Sequence, residues 1–349
     1  MRIAILVPNF VELDGGARVA ELQVQDLAKE GNHVAVFSLN ADIKPGNAAL
    51  FVMGMPKSLF WRRVYRLLFP LDVPKTIRWL PKLKEFDLVV VHLYPMTWLG
   101  YLAKKLYKVK YIFWFHGIEE PWLFPHLYER VYIRMIIFFT RLTVRNVDQA
   151  ISVSGFAKKK LKQYTGLDSE VVYNKIDLTH FHKGIDGSYI REQHNLRDCP
   201  IILTVGRLVP QKGLHLLIKA FHLVKDKIPE AKLMIVGDVS LEYYEKELRR
   251  ISDNSVMFVG HVKSNNMPFY YAMCDVYATC SLWENHSLTV LEAQAMGKPV
   301  IAFSIEAFSE QVDSNGMLVE VGNTEQFAQV CIDKIREVRQ GNRENMHNE

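Results

Sequence analysis

The sequence predicts an α/β protein built from two parallel-sheet domains of similar size. Three observations predict it. A length of 349 residues is about two domains' worth of chain. Short apolar runs rich in Val, Ile and Leu alternate with amphipathic stretches of helical period through both halves. A polar segment, 178–199, with His180, His182, Gly184, Asp186, Gly187 and Arg191, separates the halves and reads as a linker. Hydrophobic residues at 49% and charged residues at 23% let each half bury a core. The net charge of +5 suits anionic ligands, yet it lacks the concentrated basic patch of a nucleic-acid binder. Cys199, Cys274, Cys280 and Cys331 show no C-x-x-C spacing and read as reduced core residues of a cytoplasmic protein. No uncharged apolar run approaches the length of about 18 residues that a membrane span needs.

In the first half, 3–7 is a strand broken by Pro8, too short for the apolar region of a signal peptide. Asp14-Gly15-Gly16 reads as a glycine turn. Residues 17–29 form a helix on Val19, Leu22, Val24 and Leu27, and 33–38 is the next strand. The full G-x-G-x-x-G is missing, so no nicotinamide site follows. Residues 57–69 are a basic amphipathic helix. Arg62, Arg63 and Arg66 fall on one face, with Leu59, Phe60, Val64, Leu67 and Leu68 on the other. Such a helix either lies on an anionic membrane or packs on its own domain with a solvated Arg face. Strands at 87–92 and 110–115 flank a helix at 96–106. His116-Gly117 ends the second of these strands, where α/β sheets carry ligands, and Trp114, Phe115, Glu119 and Glu120 form a polar and aromatic rim. A long helix at 126–147 sets Arg130, Arg134, Arg141 and Arg145 in one stripe, opposite Val131, Tyr132, Met135, Ile136, Phe138, Phe139 and Leu142. Its Arg stripe is either solvated or a seat for an anionic acceptor or lipid headgroups. Short strands at 150–154 and 170–173 close this half.

In the second half, strands are expected at 201–205, 231–236, 256–259 and 276–279, with helices at 214–225, 241–251 and 267–273. The loop Gly206-Arg207 to Lys212-Gly213 carries two cations. Arg207 can grip a phosphate bidentately and Lys212 supplies a point charge. Residues 281–304 hold a polar turn with Glu284 and a helix on Leu288, Leu291, Ala295 and Met296. Gly297 stops the helix, and a buried strand follows Pro299. Ser287 is the expected N-cap. The first-turn N–H groups sit at the positive end of the helix and make an anion site. Glu292 follows two turns on, so the layout suits a ligand with an anionic middle and hydroxyl-rich ends. A last helix, 324–339, precedes a polar tail at 341–349. His180 and His182 lack the partners a metal site needs.

Glu284-x7-Glu292 followed by Gly297-Lys298-Pro299-Val300-Ile301 occurs in order after Gly15-Gly16, His116, Asn174-Lys175-Ile176-Asp177 and Arg207/Lys212. This set resembles the retaining glycosyltransferases of family 4, which have the GT-B fold of two Rossmann-like domains facing across a cleft and use nucleotide-sugar donors. The resemblance implies an acceptor-binding domain at 1–177 and a donor-binding domain at 178–349. It implies that Gly15 and Gly16 approach the donor phosphate and acceptor, and that His116 lies near the transferred sugar. Arg207 and Lys212 would stabilise the diphosphate. Glu284 would hold sugar hydroxyls within the loop Asn285, His286, Ser287 and Leu288. Glu292 would hold the ribose, and His261 would lie by the nucleobase. His116, Arg207, Lys212 and Glu284 are then the catalytic set, and the leaving phosphate takes the acceptor's proton. No cofactor is implied, and with no Asp-x-Asp in the chain a metal-bridged diphosphate is not expected.

The two basic helices, 57–69 and 126–147, point to a lipid-linked saccharide or other glycan as acceptor, met at the inner face of the cell membrane by a peripheral protein. Three departures from the family stand out. Asn285-His286-Ser287 replaces the usual Gly-Phe-Gly, so no sugar preference follows. Lys175 replaces a glycine and would be strained at positive φ. The aromatic-containing final helix that usually crosses back to the first domain is not seen. Alternatives are a sugar phosphorylase or epimerase on the same fold, or a protein that binds nucleotide sugars or anionic lipids without turnover.

Overall fold

The computed structural model describes residues 1–348 other than 13, 125 and 197. Two compact units result, Met1–Lys175 and Ile176–Glu349, dividing two residues before the expected boundary.

The first unit runs β1 (Arg2–Phe10), α1 (Gly15–Lys29), β2 (His33–Ala41), β3 (Ala49–Val52), α2 (Leu59–Leu68), α3 (Val73–Trp79), β4 (Leu88–His92), α4 (Met96–Tyr107), β5 (Lys110–Phe115), α5 (Leu127–Thr143), β6 (Gln149–Ser152), α6 (Gly155–Thr165) and β7 (Glu170–Val171). The strand order is β3-β2-β1-β4-β5-β6-β7, with parallel pairings throughout the described residues. Strands buried on both faces read as continuous apolar runs. Ala4 and Leu6 face one side with Phe37, Val89, Val91 and Phe113, under α4 and α6. Ile3, Ile5 and Val7 face the other with Val34, Val36 and Val90, under α1.

β3 and α3 were not expected from the sequence. α3 opens with Pro at its first turn, and the Asp72 carboxylate accepts the Lys75 N–H at 3.1 Å.

The two basic helices differ: the Arg residues of α2 are half-buried, whereas Arg134, Arg141 and Arg145 at α5 are exposed, as the reading of a solvated Arg stripe has it. In α2, Arg66 points inward and its Nη2 donates to Asn9 Oδ1 at 2.9 Å. Arg63 pairs with Glu129 of α5 at 3.0 Å. Phe60 and Trp61 are 65% and 59% exposed. The side chain of Leu59 lies outside the described residues. In α5 the buried side is Ile133, Thr140 and Thr143, and the Thr143 hydroxyl donates to Thr97 of α4 at 2.8 Å. Val131, Met135 and Phe138 are exposed together with Arg134 and Arg141. Arg130 donates to the Phe124 carbonyl at 2.7 Å, and Arg145 lies beyond the helix end. Periodicity shows that a helix has two faces. Which face packs depends on fit, and here small hydroxyl side chains let α4 and α5 approach.

The second unit runs α7 (Ser188–Gln193), β8 (Ile201–Val205), α8 (Leu214–Lys227), β9 (Lys232–Val236), α9 (Glu242–Arg250), β10 (Val256–Gly260), α10 (Met267–Met273), β11 (Val276–Thr279), α11 (Leu288–Ala295), β12 (Val300–Phe303), α12 (Glu306–Ser309), β13 (Met317–Val319) and α13 (Thr324–Asn348). Its order is β10-β9-β8-β11-β12-β13, again parallel. Ile202, Leu233, Ile235, Ala278 and Phe303 face α8 and α13. Leu203, Met234, Val236, Tyr277 and Ala302 face α10 and α11. α13 continues through 341–348, where a polar tail was expected. Cys274, Cys280 and Cys331 are buried in this unit's core. Among the described residues no helix is long and apolar enough to cross a membrane.

The segment read as a linker is part of the second unit. Phe181, Ile190 and Leu196 are buried in its core. Arg191 donates to the carbonyls of Met273 at 2.7 Å and Cys199 at 2.9 Å, and to Asp275 Oδ2 at 2.8 Å. Asp275 also accepts the Ile201 N–H at 2.8 Å, tying this segment to the central strand. Lys175 is not among the residues with positive φ, so the strain considered for it does not arise. Breaking a buried pair by removing one partner leaves the other charge uncompensated. Asp275→Ala is therefore expected to lower stability by about 3 kcal/mol in urea unfolding; a loss under about 1 kcal/mol would show that the strap is dispensable.

Candidate active site

In a parallel sheet every strand ends on the same edge, and ligands gather where neighbouring strands send their connections to opposite faces. In the second unit that point lies between β8 and β11. The loop after β8 carries Arg207 and Lys212; the loop after β11 carries Glu284. A Cβ on Gly213, at φ +61°, would lie 2.0 Å from the Cys280 carbonyl oxygen, so the two loops touch backbone to backbone only because residue 213 is glycine. That contact seats Lys212 against Glu284, and the two form an ion pair. The Ser281 hydroxyl donates to Glu284 Oε1 at 3.1 Å. A Cβ on Gly237 would lie 2.0 Å from the Gly206 oxygen, so the ends of β8 and β9 are packed as closely. Arg207 is exposed beside them. On the same edge, His261 follows β10 with its Nδ1 3.8 Å from Asp238.

Ser287 stands at the N-cap of α11, but its hydroxyl meets Thr289 Oγ1 at 3.0 Å and caps no backbone group, contrary to the expectation. Gln311 holds the Ser287 peptide instead. Its Oε1 accepts the Ser287 N–H at 2.9 Å and its Nε2 donates to the Ser287 carbonyl. The N–H groups of Leu288, Thr289 and Val290 meet no acceptor among the described residues. They form a fixed row of donors at the positive end of α11. Glu292 is 1% exposed, and the Tyr271 hydroxyl donates to its Oε2 at 2.7 Å. Burial lowers the His286 imidazole to about 4, with Glu310 pulling the other way, so this ring is neutral at neutral pH.

In the first unit the corresponding point lies between β1 and β4. Gly15 and Gly16 open α1 rather than forming a separate turn. The Asp14 carboxylate accepts the N–H of Gly16 at 2.9 Å and of Ala17 at 3.4 Å, and Asn9 Nδ2 donates to it at 3.1 Å. The Gly16 amide, which the resemblance placed near the donor phosphate, is thus engaged by a carboxylate. His116 follows β5. Its Nε2 lies 2.6 Å from Nδ1 of His92, the last residue of β4. Nε2 of His92 lies 3.0 Å from Gln23 Oε1 on α1. Burial lowers His116 to about 4, opposed by Asp14. Burial and the neighbouring His116 push the 1% exposed His92 well below the usual imidazole value.

Sequence reasoning missed His92, Gln23, Tyr271 and Gln311. His92 alone left a signal, since it ends a strand adjacent to the one that delivers His116. Among the described residues no group of three or more His, Cys, Asp or Glu is placed to hold a metal.

The fold and this edge of charges, amides and carboxylates define a glycosyltransferase of the GT-B fold. The description Glycosyltransferase Family 4 matches residues 13–180, and Glycosyl transferases group 1 matches residues 188–348. Together they span nearly the whole chain, and the protein belongs to the family 4 glycosyltransferases. An uncharacterised glycosyltransferase of Haemophilus influenzae is 26% identical over 336 residues, covering 93% of this chain and 88% of that protein. A GDP-mannose-dependent monoacylated alpha-(1-6)-phosphatidylinositol monomannoside mannosyltransferase of Corynebacterium glutamicum is 29% identical, covering 69% of this chain and 65% of that protein. Among solved structures, HepE of Anabaena in complex with UDP and glucose superposes with a TM-score of 0.78 at 22% identity, over 97% of this chain and 90% of that one.

His92, His116 and His286 are all held below the ordinary imidazole value of 6.5, so protonation favours the unfolded chain. Their contribution is fully present above pH 6.5 and is lost as the pH falls from 6.5 toward about 4. Urea midpoints are expected to drop across this window, and less steeply in His286→Gln. A profile equally steep in that variant would remove His286 from the account.

Proposed function

We propose that the protein moves a sugar from a nucleotide-diphosphate sugar to an acceptor hydroxyl with retained configuration. One observation carries this reading: Lys212 and Glu284 meet at the switch point of the second sheet, next to a helix that presents three uncommitted N–H groups. The Corynebacterium relative is named for a GDP-mannose donor and HepE was solved with UDP and glucose, which supports the donor class.

The anomeric C–O bond breaks, and its electron pair leaves with the diphosphate. Charge that develops on a leaving group is best stabilised by donors already in place. Lys212 exchanges Glu284 for phosphate oxygen, Arg207 adds a second cation, and the α11 amides supply fixed donors. Glu284, released from Lys212, accepts hydrogen bonds from sugar hydroxyls, and Glu292 serves the ribose from its place beside Tyr271. The nucleobase lies toward His261. The acceptor oxygen forms the new C–O bond on the face the diphosphate leaves, and its proton goes to a leaving phosphate oxygen. His116 faces the transferred sugar, as the family resemblance implies.

The acceptor reading rests on α2 and α5. Phe60, Trp61, Val131, Met135 and Phe138 are exposed and flanked by Arg134 and Arg141. Apolar side chains edged by guanidinium groups suit an anionic lipid surface, and with it a lipid-linked glycan acceptor.

A screen of UDP-glucose, GDP-mannose and related donors tests the chemistry. Arg207→Ala and Lys212→Ala should each lower kcat by about 10²- to 10³-fold. Transfer that survives both changes, or that requires added divalent metal, would overturn the mechanism. Co-sedimentation with vesicles containing anionic lipid should fall at least severalfold in a Phe60→Ser, Phe138→Ser double variant that remains folded. Unchanged sedimentation would remove the membrane from the account.

A further inference from the structure

We propose that Gln23 and His92 are positioning residues that fix the tautomer of His116, so that its ring offers a bare Nδ1 to a substrate hydroxyl. The inference rests on the reading of His116 as facing the transferred sugar.

A short chain of contacts fixes each proton. Gln23 Oε1 lies 3.0 Å from His92 Nε2, and an amide oxygen only accepts, so His92 carries its proton on Nε2. A neutral His92 then has a lone pair on Nδ1. His116 Nε2 lies 2.6 Å from that atom, and one of two nitrogens so close must donate. The donor is His116 Nε2–H, and Nδ1 of His116 is left without a proton. No hydrogen bond among the described residues uses that atom.

The chain holds only if both rings are neutral, and the surroundings require it. His92 is 1% exposed, and its ring bonds are to a neutral amide and a second imidazole, so a charge there would be uncompensated. Asp14, at the start of α1, is the charged group that bears on His116, and burial outweighs it.

The rings are also fixed in place. They stack with centroids 4.9 Å apart, and Trp114, the ladder partner of His92, stacks on the His92 ring with centroids 6.0 Å apart. Leu93, at φ +62°, takes the chain away immediately after His92. A ring held in this way is an acceptor and not an acid. It selects for a hydroxyl donor at one place on the substrate.

Turning the Gln23 amide over would reverse every proton in the chain and leave Nδ1–H on His116. The two states are distinguishable in a two-bond ¹H–¹⁵N spectrum of the uniformly labelled full chain at neutral pH. Both rings are expected as Nε2–H tautomers. His116 found as Nδ1–H overturns the proposal. This spectrum needs no turnover, so it stands apart from the donor screen, whose failure would count against the proposed function instead.

Gln23→Glu gives the second arm. Glutamate fills the same space and accepts the same hydrogen bond, so a purely structural role for Gln23 leaves the rate unchanged. The proposal expects the new carboxylate to hold a second proton on His92. His92 then donates to His116 Nε2, and His116 becomes the Nδ1–H tautomer. With whichever of UDP-glucose or GDP-mannose the wild type turns over, kcat should fall about tenfold, the scale of one misdirected hydrogen bond, while the donor KM stays within about twofold. A reversed tautomer with a wild-type kcat would overturn the positioning role.

Discussion

Every strand pairing described in the two sheets is parallel, and most of what is chemically useful in the protein follows from that constraint. Parallel neighbours need a crossover between them; most of these carry a helix, β2 and β3 being joined by the loop 42–48, and each sheet is covered on both faces. All strands of a sheet finish on one edge. The loops at that edge carry Asp14 and His116 in one unit, beside the buried His92 that ends β4, and Arg207, Lys212, Asp238, His261 and Glu284 in the other. Where the strand order reverses, the connections leave for opposite faces of the sheet, and that edge is where such sheets hold ligands. The ion pair of Lys212 and Glu284 occupies that place in the second unit.

That pair also explains how charged groups persist in a partly enclosed site. A cation and a carboxylate drawn from water incur a desolvation cost, which their mutual attraction offsets. Each is then a partner that a ligand group can displace: an anion in place of the carboxylate, a hydrogen-bond donor in place of the ammonium. Gln311 acts on the backbone in a comparable way. By holding both polar groups of the Ser287 peptide, it fixes the direction in which the next three N–H groups point without consuming any of them.

The fold was legible in the sequence through periodicity, and the loops that carry the candidate donor residues were legible through the strand ends beside them. Strands such as Lys110–Phe115 were readable because burial on both faces leaves an uninterrupted apolar run. Glu284, Lys212 and Arg207 lie on loops tied to recognisable strand ends. What failed to show had long-range causes. His92 and Gln23 meet His116 from different elements, and Gln311 reaches Ser287 across 24 residues of chain. The packing of α2 and α5 was not legible because it rests on Thr97 against Thr143, on Arg66 with Asn9, and on Arg63 with Glu129, while large apolar side chains remain outside. Length and polarity suggested a linker at 178–199. The buried Phe181, Ile190 and Leu196, together with the Arg191 strap, make it part of a core.

Asp14 sets the start of α1 apart from the start of α11. In α11 the leading amides stay open, whereas in α1 a side chain of the protein already neutralises the positive helix end. An anion therefore meets open amides at the start of α11 and a carboxylate at the start of α1.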